Sequence, residues 1–275
     1  MTSGTDRSDD LTVALFGASG RMGRALVQSA EGLDDVRIVG ACAGRGSVAI
    51  GQDLGSLSRI GKSGVFITED PAKALQGARV AIDFSLPIAT PVYASACREA
   101  GCALVCGVTG LDQTAHDALV SAAQEIPVLY GANLSVGMAV LERLVRLAAG
   151  GLDGGFDAEI IEAHHNAKRD APSGTALRLG EVIAGERGQA LDDLRAPVRR
   201  AGPRNSGEIG FAVVRAGDIA GEHTVLFAGQ GERLELTHRA GTREAFAAGA
   251  LRAARWLATP DRRPGLYNMH DVLRR

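Results

Sequence analysis

Short apolar runs separated by amphipathic stretches fill the first half of the chain. Residues 11–16, 36–43, 80–84, 103–108 and 127–130 are runs of strand length with β-branched members. Helical patterns lie between them, through Ala25, Leu26, Val27 and Ala30, and over 87–100 and 112–125. Alternation of β and α at this spacing predicts a doubly wound parallel sheet. Residues 46–64 are glycine-rich and weakly periodic, which predicts a long loop with at most one helical turn. Residues 137–148 form a helix apolar on most faces, expected to lie between two layers.

After a glycine-rich break at 150–155 the pattern changes. A strand at 158–164 leads into a helix begun by Pro172, Ser173, Gly174 and Thr175. Residues 191–207 read as a loop with Arg199, Arg200 and Arg204 in solvent, and 210–215, 223–229 and 233–239 read as strands. This predicts a second, smaller α+β domain with a mixed sheet at 136–241. In the outer face of that sheet, Val225, Phe227, Leu234 and Leu236 are expected against another subunit. Thr242 caps a last helix carrying Phe246, Ala250, Ala253 and Leu257 and ending at Pro260. It is expected to return to the first domain, which then comprises 1–135 and 242–275.

Composition narrows the classes. Thirty basic against thirty-two acidic residues give a net charge of −2, with no bulk attraction for nucleic acid or an anionic membrane. The first ten residues are polar and read as a disordered tail without the apolar core of a signal peptide, and no apolar run reaches membrane-spanning length, so a cytoplasmic protein is expected. Cys42, Cys97, Cys102 and Cys106 lie in apolar surroundings and read as buried thiols.

Two stretches carry chemistry. Strand 11–16 is followed at once by Gly17-Ala18-Ser19-Gly20-Arg21-Met22-Gly23 and a helix. Glycines there allow a tight turn and close approach of a pyrophosphate to the backbone, at a helix start that favours negative charge. The sheet is therefore expected to be Rossmann-like and to bind a dinucleotide. At the end of the second strand an acidic residue would favour NADH, whereas this chain has Gly44-Arg45-Gly46-Ser47, so NADPH is expected, with NADH weaker. The other strand ends, with Asp83-Phe84-Ser85, Gly107-Val108-Thr109 and Ala132-Asn133-Leu134-Ser135, sit at the edge where such sheets bind ligands.

The second stretch is 157–175, D-A-E-I-I-E-A-H-H-N-A-K-R-D-A-P-S-G-T. His164, His165 and Lys168 offer three proton-bearing or cationic groups, just before a helix start whose N–H groups around Ser173, Gly174 and Thr175 suit a carboxylate. Adjacent strand residues face opposite ways, so His164 and His165 do not suit one metal ion, and no zinc spacing accompanies them.

The motifs E-A-H-H-N-A-K-R-D-A-P-S-G-T-A at 162–176, G-A-S-G-R-M-G at 17–23, A-N-L-S-V-G at 132–137 and V-R-A-G-D-I-A-G-E-H-T at 214–224 resemble the 4-hydroxy-tetrahydrodipicolinate reductase family over nearly the whole chain. The resemblance implies His164 as proton donor or acceptor, Lys168 as proton donor, and His165 as a substrate contact. Gly174 and Thr175, next to Ser173, would bind a substrate carboxylate. Gly17 to Met22 would hold the pyrophosphate, Arg45 the 2′-phosphate, and Gly107, Val108 and Thr109 with Gly131, Ala132, Asn133 and Leu134 the nicotinamide side. It also implies a dicarboxylate substrate and a homotetramer. The chain departs from the family in having Gly44, where members using both cofactors place an acidic residue, Leu86 where an arginine can sit, and Leu134 where an aromatic is common. A reductase of another imine or amino acid, and a nucleotide sensor without turnover, are the alternatives; H-H-x-x-K with S-G-T speaks against the first.

Overall fold

In a computed structural model of the chain, residues 10–152, 154–196 and 203–274 are described. They form two compact units, Met1–Ser135 with Phe246–Arg275, and Val136–Ala245. The expectations for residues 1–9 and for Arg199 and Arg200 lie outside the described residues.

The first unit begins with β1 (Leu11–Phe16), α1 (Arg21–Glu31), β2 (Val36–Cys42), α2 (Leu54–Leu57), α3 (Pro71–Ala74) and β3 (Val80–Asp83). A 3₁₀ turn at Pro87–Ala89 runs into α4 (Thr90–Ala100), followed by β4 (Ala103–Cys106), α5 (Gln113–Ala122) and β5 (Pro127–Tyr130). All four residues of β3 and of β4 are buried, as central parallel strands covered on both faces must be. Tyr93 of α4 stacks on Phe16 with ring centroids 4.2 Å apart. The four cysteines are buried and unpaired. The loop expected at 46–64 contains the single turn α2, capped by the Asp53 side chain.

The second unit contains α6 (Val136–Gly151), β6 (Asp157–His164), α7 (Gly174–Glu186), α8 (Leu191–Leu194), β7 (Ile209–Arg215), β8 (Gly221–Ala228) and β9 (Arg233–Ala240). Its sheet has the order β7-β6-β8-β9 and is mixed, with β6 parallel to β7 and antiparallel to β8. Burial alternates strictly along β6 and β8, which puts Ala158, Ile160, Glu162 and His164 on one face with His223, Val225 and Phe227.

Several expectations need correction. Val225 and Phe227 pack into the unit's own core with Leu141, Val145, Leu179 and Ile183 of α6 and α7, so they are not on the outer face. Leu236 packs against the same core, while Leu234 is partly exposed. Helix α6 is amphipathic: Val140, Leu144 and Leu147 are exposed at i, i+4 and i+7. Arg204 is not in solvent; it pairs with Asp157 at 2.9 Å and also with Glu159. The short helix α8 interrupts the expected loop.

The chain then returns through α9 (Glu244–Leu257), whose start accepts capping from Thr242, to β10 (Gly265–Tyr267) and α10 (Met269–Val272). Strand β10, which the sequence pattern does not reveal, completes a six-stranded parallel sheet ordered β10-β5-β4-β3-β1-β2. Gly249 of α9 lies so close to the Leu134 carbonyl that a Cβ would collide with it.

Candidate functional site

In the first unit, parallel pairing brings the ends of β1 to β5 to one edge of the sheet. Backbone hydrogen bonds lock these ends together, from Ala18 to Cys42 (3.1 Å), Phe84 to Phe16 (3.2 Å), Gly107 to Asp83 (2.9 Å) and Gly131 to Cys106 (3.1 Å). The structure therefore brings Gly17, Ala18, Gly107, Val108 and Gly131 to one edge, with Ser19, Gly20, Arg21 and Met22 entering α1. Gly17 has φ +72°, and a Cβ there would stand 2.7 Å from the Phe84 carbonyl oxygen. Only glycine makes this turn. A Cβ on Gly107 would collide with the Phe84 ring.

The start of α1 fits a phosphate. Its N-cap is Gly20, with no side-chain cap and no acidic residue in the first turn, whereas α5 has its N-terminal donor satisfied by Asp112. Peptide N–H groups and the helix dipole are thus offered to an anion. Arg45 is exposed in the turn after β2, and Thr109 and Ala132 are exposed beyond β4 and β5. Asn133 accepts from the Ser135 N–H at 3.0 Å, and Leu134 is buried against Gly131.

In the second unit the chemistry gathers at the end of β6. His164 is buried and His165, just beyond the strand, is half-buried. Lys168 pairs through Nζ with Asp170 Oδ1 at 2.9 Å. The Asp170 carboxyl lies below its usual range: burial raises it, but Lys168 and the Gly174 N–H outweigh that. Helix α7 begins at Gly174, with Ser173 as N-cap accepting from Ala176 N–H at 3.2 Å, so Pro172 lies outside the helix rather than in its first turn. Gly174 is exposed, and a Cβ on it would meet nothing within 4 Å. Thr175 is half-buried. The N–H of Ser173 is not free as expected; it donates to Glu162 Oε1 at 2.9 Å.

Three neighbours of this cluster, Glu162, Arg215 and His223, escape the sequence reading. Glu162 is fully buried and accepts from His164 Nδ1 at 2.6 Å and from both terminal nitrogens of Arg215 at 2.7 and 2.8 Å. Burial pushes the Glu162 carboxyl up, but Arg215, His164 and the Ser173 N–H hold it below the usual range. His164 is lowered, by burial first and by Lys168 and Arg215, against the opposing Glu162 carboxylate. His223 is pushed down to about 3 by burial, with His164 adding to the effect. Its Nε2 lies 3.1 Å from the Ser173 hydroxyl. The signal for Glu162 was the strand period, which puts positions 162 and 164 on one face. Arg215 and His223 come from distant strands, and only the pairing Glu162↔His223 and His164↔Arg215 brings them in. Among the described residues, no group of three or more His, Cys, Asp or Glu side chains is placed to hold a metal ion.

Both halves of the chain match a known family. The profile for dihydrodipicolinate reductase, N-terminus, matches residues 11–134, and that for its C-terminus matches 137–273. The 4-hydroxy-tetrahydrodipicolinate reductases of Alkalilimnicola ehrlichii and Anaeromyxobacter dehalogenans are 49% and 48% identical, covering 95% of this chain and 98% and 97% of their own. The dipicolinate-bound dihydrodipicolinate reductase of Paenisporosarcina sp. shares the fold, with a TM-score of 0.71 at 22% identity over 94% of this chain and 97% of that one. Matched in both halves, and sharing nearly half its residues with these reductases along almost their full length, the chain belongs to the dihydrodipicolinate reductase family.

Proposed function

We propose that the protein reduces 4-hydroxy-tetrahydrodipicolinate to tetrahydrodipicolinate in lysine and diaminopimelate biosynthesis, using NADPH in preference to NADH. It is an oxidoreductase with a nicotinamide cofactor. The observation that carries the reading is the clustering of His164, His165 and Lys168 at the end of β6, next in the chain to the start of α7 with its exposed Gly174. A dicarboxylate substrate fits that arrangement.

Gly174 and Thr175, in the turn shaped by Ser173, take one carboxylate through peptide N–H groups, reinforced by the helix dipole, with the substrate carboxylate replacing the Asp170 carboxylate at the Gly174 N–H. The 4-hydroxyl group leaves as water to give a conjugated imine, which takes up one hydride and one proton. Lys168 supplies positive charge, His165 contacts the ring substrate, and His164 or Lys168 gives the proton beside the reduced carbon. A positioned general acid of this kind contributes about 10² to 10⁴ in rate. A bound nicotinamide supplies the hydride. The chain's own part in the first unit is to hold the pyrophosphate at Gly17, Ala18, Ser19, Gly20, Arg21 and Met22, and the nicotinamide side at Gly107, Val108, Thr109, Gly131, Ala132, Asn133 and Leu134. Arg45, exposed after β2 with no acidic residue at 44, holds the 2′-phosphate.

The protein acts as a cytoplasmic homotetramer. Support comes from the outer face of the second unit's sheet, where Ile161 and Val214 are exposed, and a monomer by light scattering contradicts it. No helix among the described residues is long and apolar enough to cross a membrane. The test of the chemistry is kinetic. His164→Asn and Lys168→Met are expected to lower kcat by about 10²-fold or more with unchanged circular dichroism; wild-type turnover in either removes that residue from the mechanism.

A further inference from the structure

We propose that Glu162 is the positioning residue of the proton-transfer site: its carboxylate fixes the tautomer of His164 and ties that imidazole to the start of α7. The inference rests on the reading of His164 as a proton-exchanging group.

A carboxylate at a fully buried strand position is stable only with a full set of partners. Glu162 has them. Oε2 accepts from His164 Nδ1 and Arg215 Nη1, and Oε1 from the Ser173 N–H and Arg215 Nη2. These four donors fill the lone-pair sites of an ionised carboxylate. Arg215 is itself fixed, opposite His164 in the β6–β7 register, with Nη2 also donating to the Asp170 carbonyl at 2.6 Å. Because an ionised carboxylate only accepts, His164 must carry its fixed proton on Nδ1. Nε2 is then the atom that gains and loses a proton. It faces the backbone of Gly221, where a Cβ would stand only 3.2 Å away.

The charged and titratable groups around this pair come from every neighbouring element. Arg215 is on β7, Lys168 and Asp170 follow β6, His223 is on β8, and His238 lies across from His223 on β9. The His223 ring meets the His164 ring edge-on at 5.1 Å. None of them offers Nδ1 an acceptor in place of Glu162. The same carboxylate holds the N–H of Ser173, the N-cap of α7, so proton donor and carboxylate cradle share one anchor.

Glutamine at 162 inverts the arrangement. Its amide nitrogen, placed at Oε1, would oppose donors from both Ser173 and Arg215; placed at Oε2, it opposes one donor of Arg215 and faces His164. The second placement has fewer conflicts, and the imidazole can meet it by moving its proton from Nδ1 to Nε2.

The experiment is ¹⁵N–¹H correlation NMR of the full chain labelled in histidine, with His164→Gln identifying the signals. The wild-type neutral imidazole is expected as the Nδ1–H tautomer. Glu162→Gln is expected to convert it to Nε2–H, to lower kcat by about 10²-fold, and to move the limb of the pH profile that requires protonated His164 to lower pH. An Nε2–H tautomer in the wild-type protein overturns the proposal, and this measurement needs no variant of Glu162 to fold. An unchanged tautomer in Glu162→Gln also overturns it. A tautomer that converts while kcat stays at the wild-type value supports the role of Glu162 and instead refutes the catalytic reading of His164.

Discussion

Replacing Asp83 by asparagine is expected to stabilise the first unit progressively as pH rises. Asp83 ends β3 at full burial; one carboxyl oxygen accepts from the Ser85 N–H at 2.8 Å and the other has no hydrogen-bond partner among the described residues. Burial pushes its pKa up to about 6, only partly offset by the bond from Ser85. The folded protein therefore binds a proton that the unfolded chain has already released, so stability is greatest below the unfolded value of 3.8 and falls as pH rises through about 6. At about 1.4 kcal/mol per unit, the whole loss is about 3 kcal/mol, of which about 1.4 kcal/mol falls between pH 5 and pH 8. Asparagine keeps the shape and the acceptor for Ser85 but never ionises. The difference in unfolding free energy between variant and wild type should thus rise by about 1.4 kcal/mol from pH 5 to pH 8. Urea titrations followed by the fluorescence of Trp256, the only tryptophan, read this unit directly, because that residue belongs to it. A difference that is flat with pH, or that falls as pH rises, refutes the reasoning from burial.

Three further outcomes follow from the geometry. The neutral imidazole of His223, with a folded pKa of about 3, makes stability full above about pH 6.5; it is lost as pH falls, by up to about 5 kcal/mol, and His223→Asn should flatten the acid limb in urea titrations read by circular dichroism. Gly174→Ala should leave melting unchanged or slightly raised, since its Cβ meets nothing, while raising KM for the dicarboxylate about tenfold or more; an unchanged KM takes the substrate carboxylate away from this helix start. Arg45→Ala should raise KM for NADPH about tenfold with NADH little affected; equal losses contradict a contact with the 2′-phosphate.

The parallel sheet was legible because each strand from β1 to β5 is a compact apolar run next to a turn signal. Strand β10 was not, because Gly265, Leu266 and Tyr267 are too few to show a period and pair only with β5. On the second sheet, alternation locates the strands but not which face meets the helices, so the pattern alone lets Val225 and Phe227 read as outward, whereas they fill the core under α6 and α7. Arg204 likewise reads as a surface cation until Asp157 and Glu159 are seen beside it. At the site, His164, Lys168 and the α7 start are contiguous in sequence and therefore visible. Their support is not. Arg215 and His223 reach Glu162 and Ser173 only through strand pairing, and a buried glutamate in a strand pattern reads as an ordinary solvent-facing residue until its partners are known.

The most direct test of the assigned reaction follows NADPH absorbance when the freshly made product of the preceding synthase is added to the purified protein, with aspartate and oxaloacetate as controls. Rapid, protein-dependent oxidation of NADPH with that product alone is the expected result. No oxidation with it, or equal oxidation with the controls, contradicts the assignment.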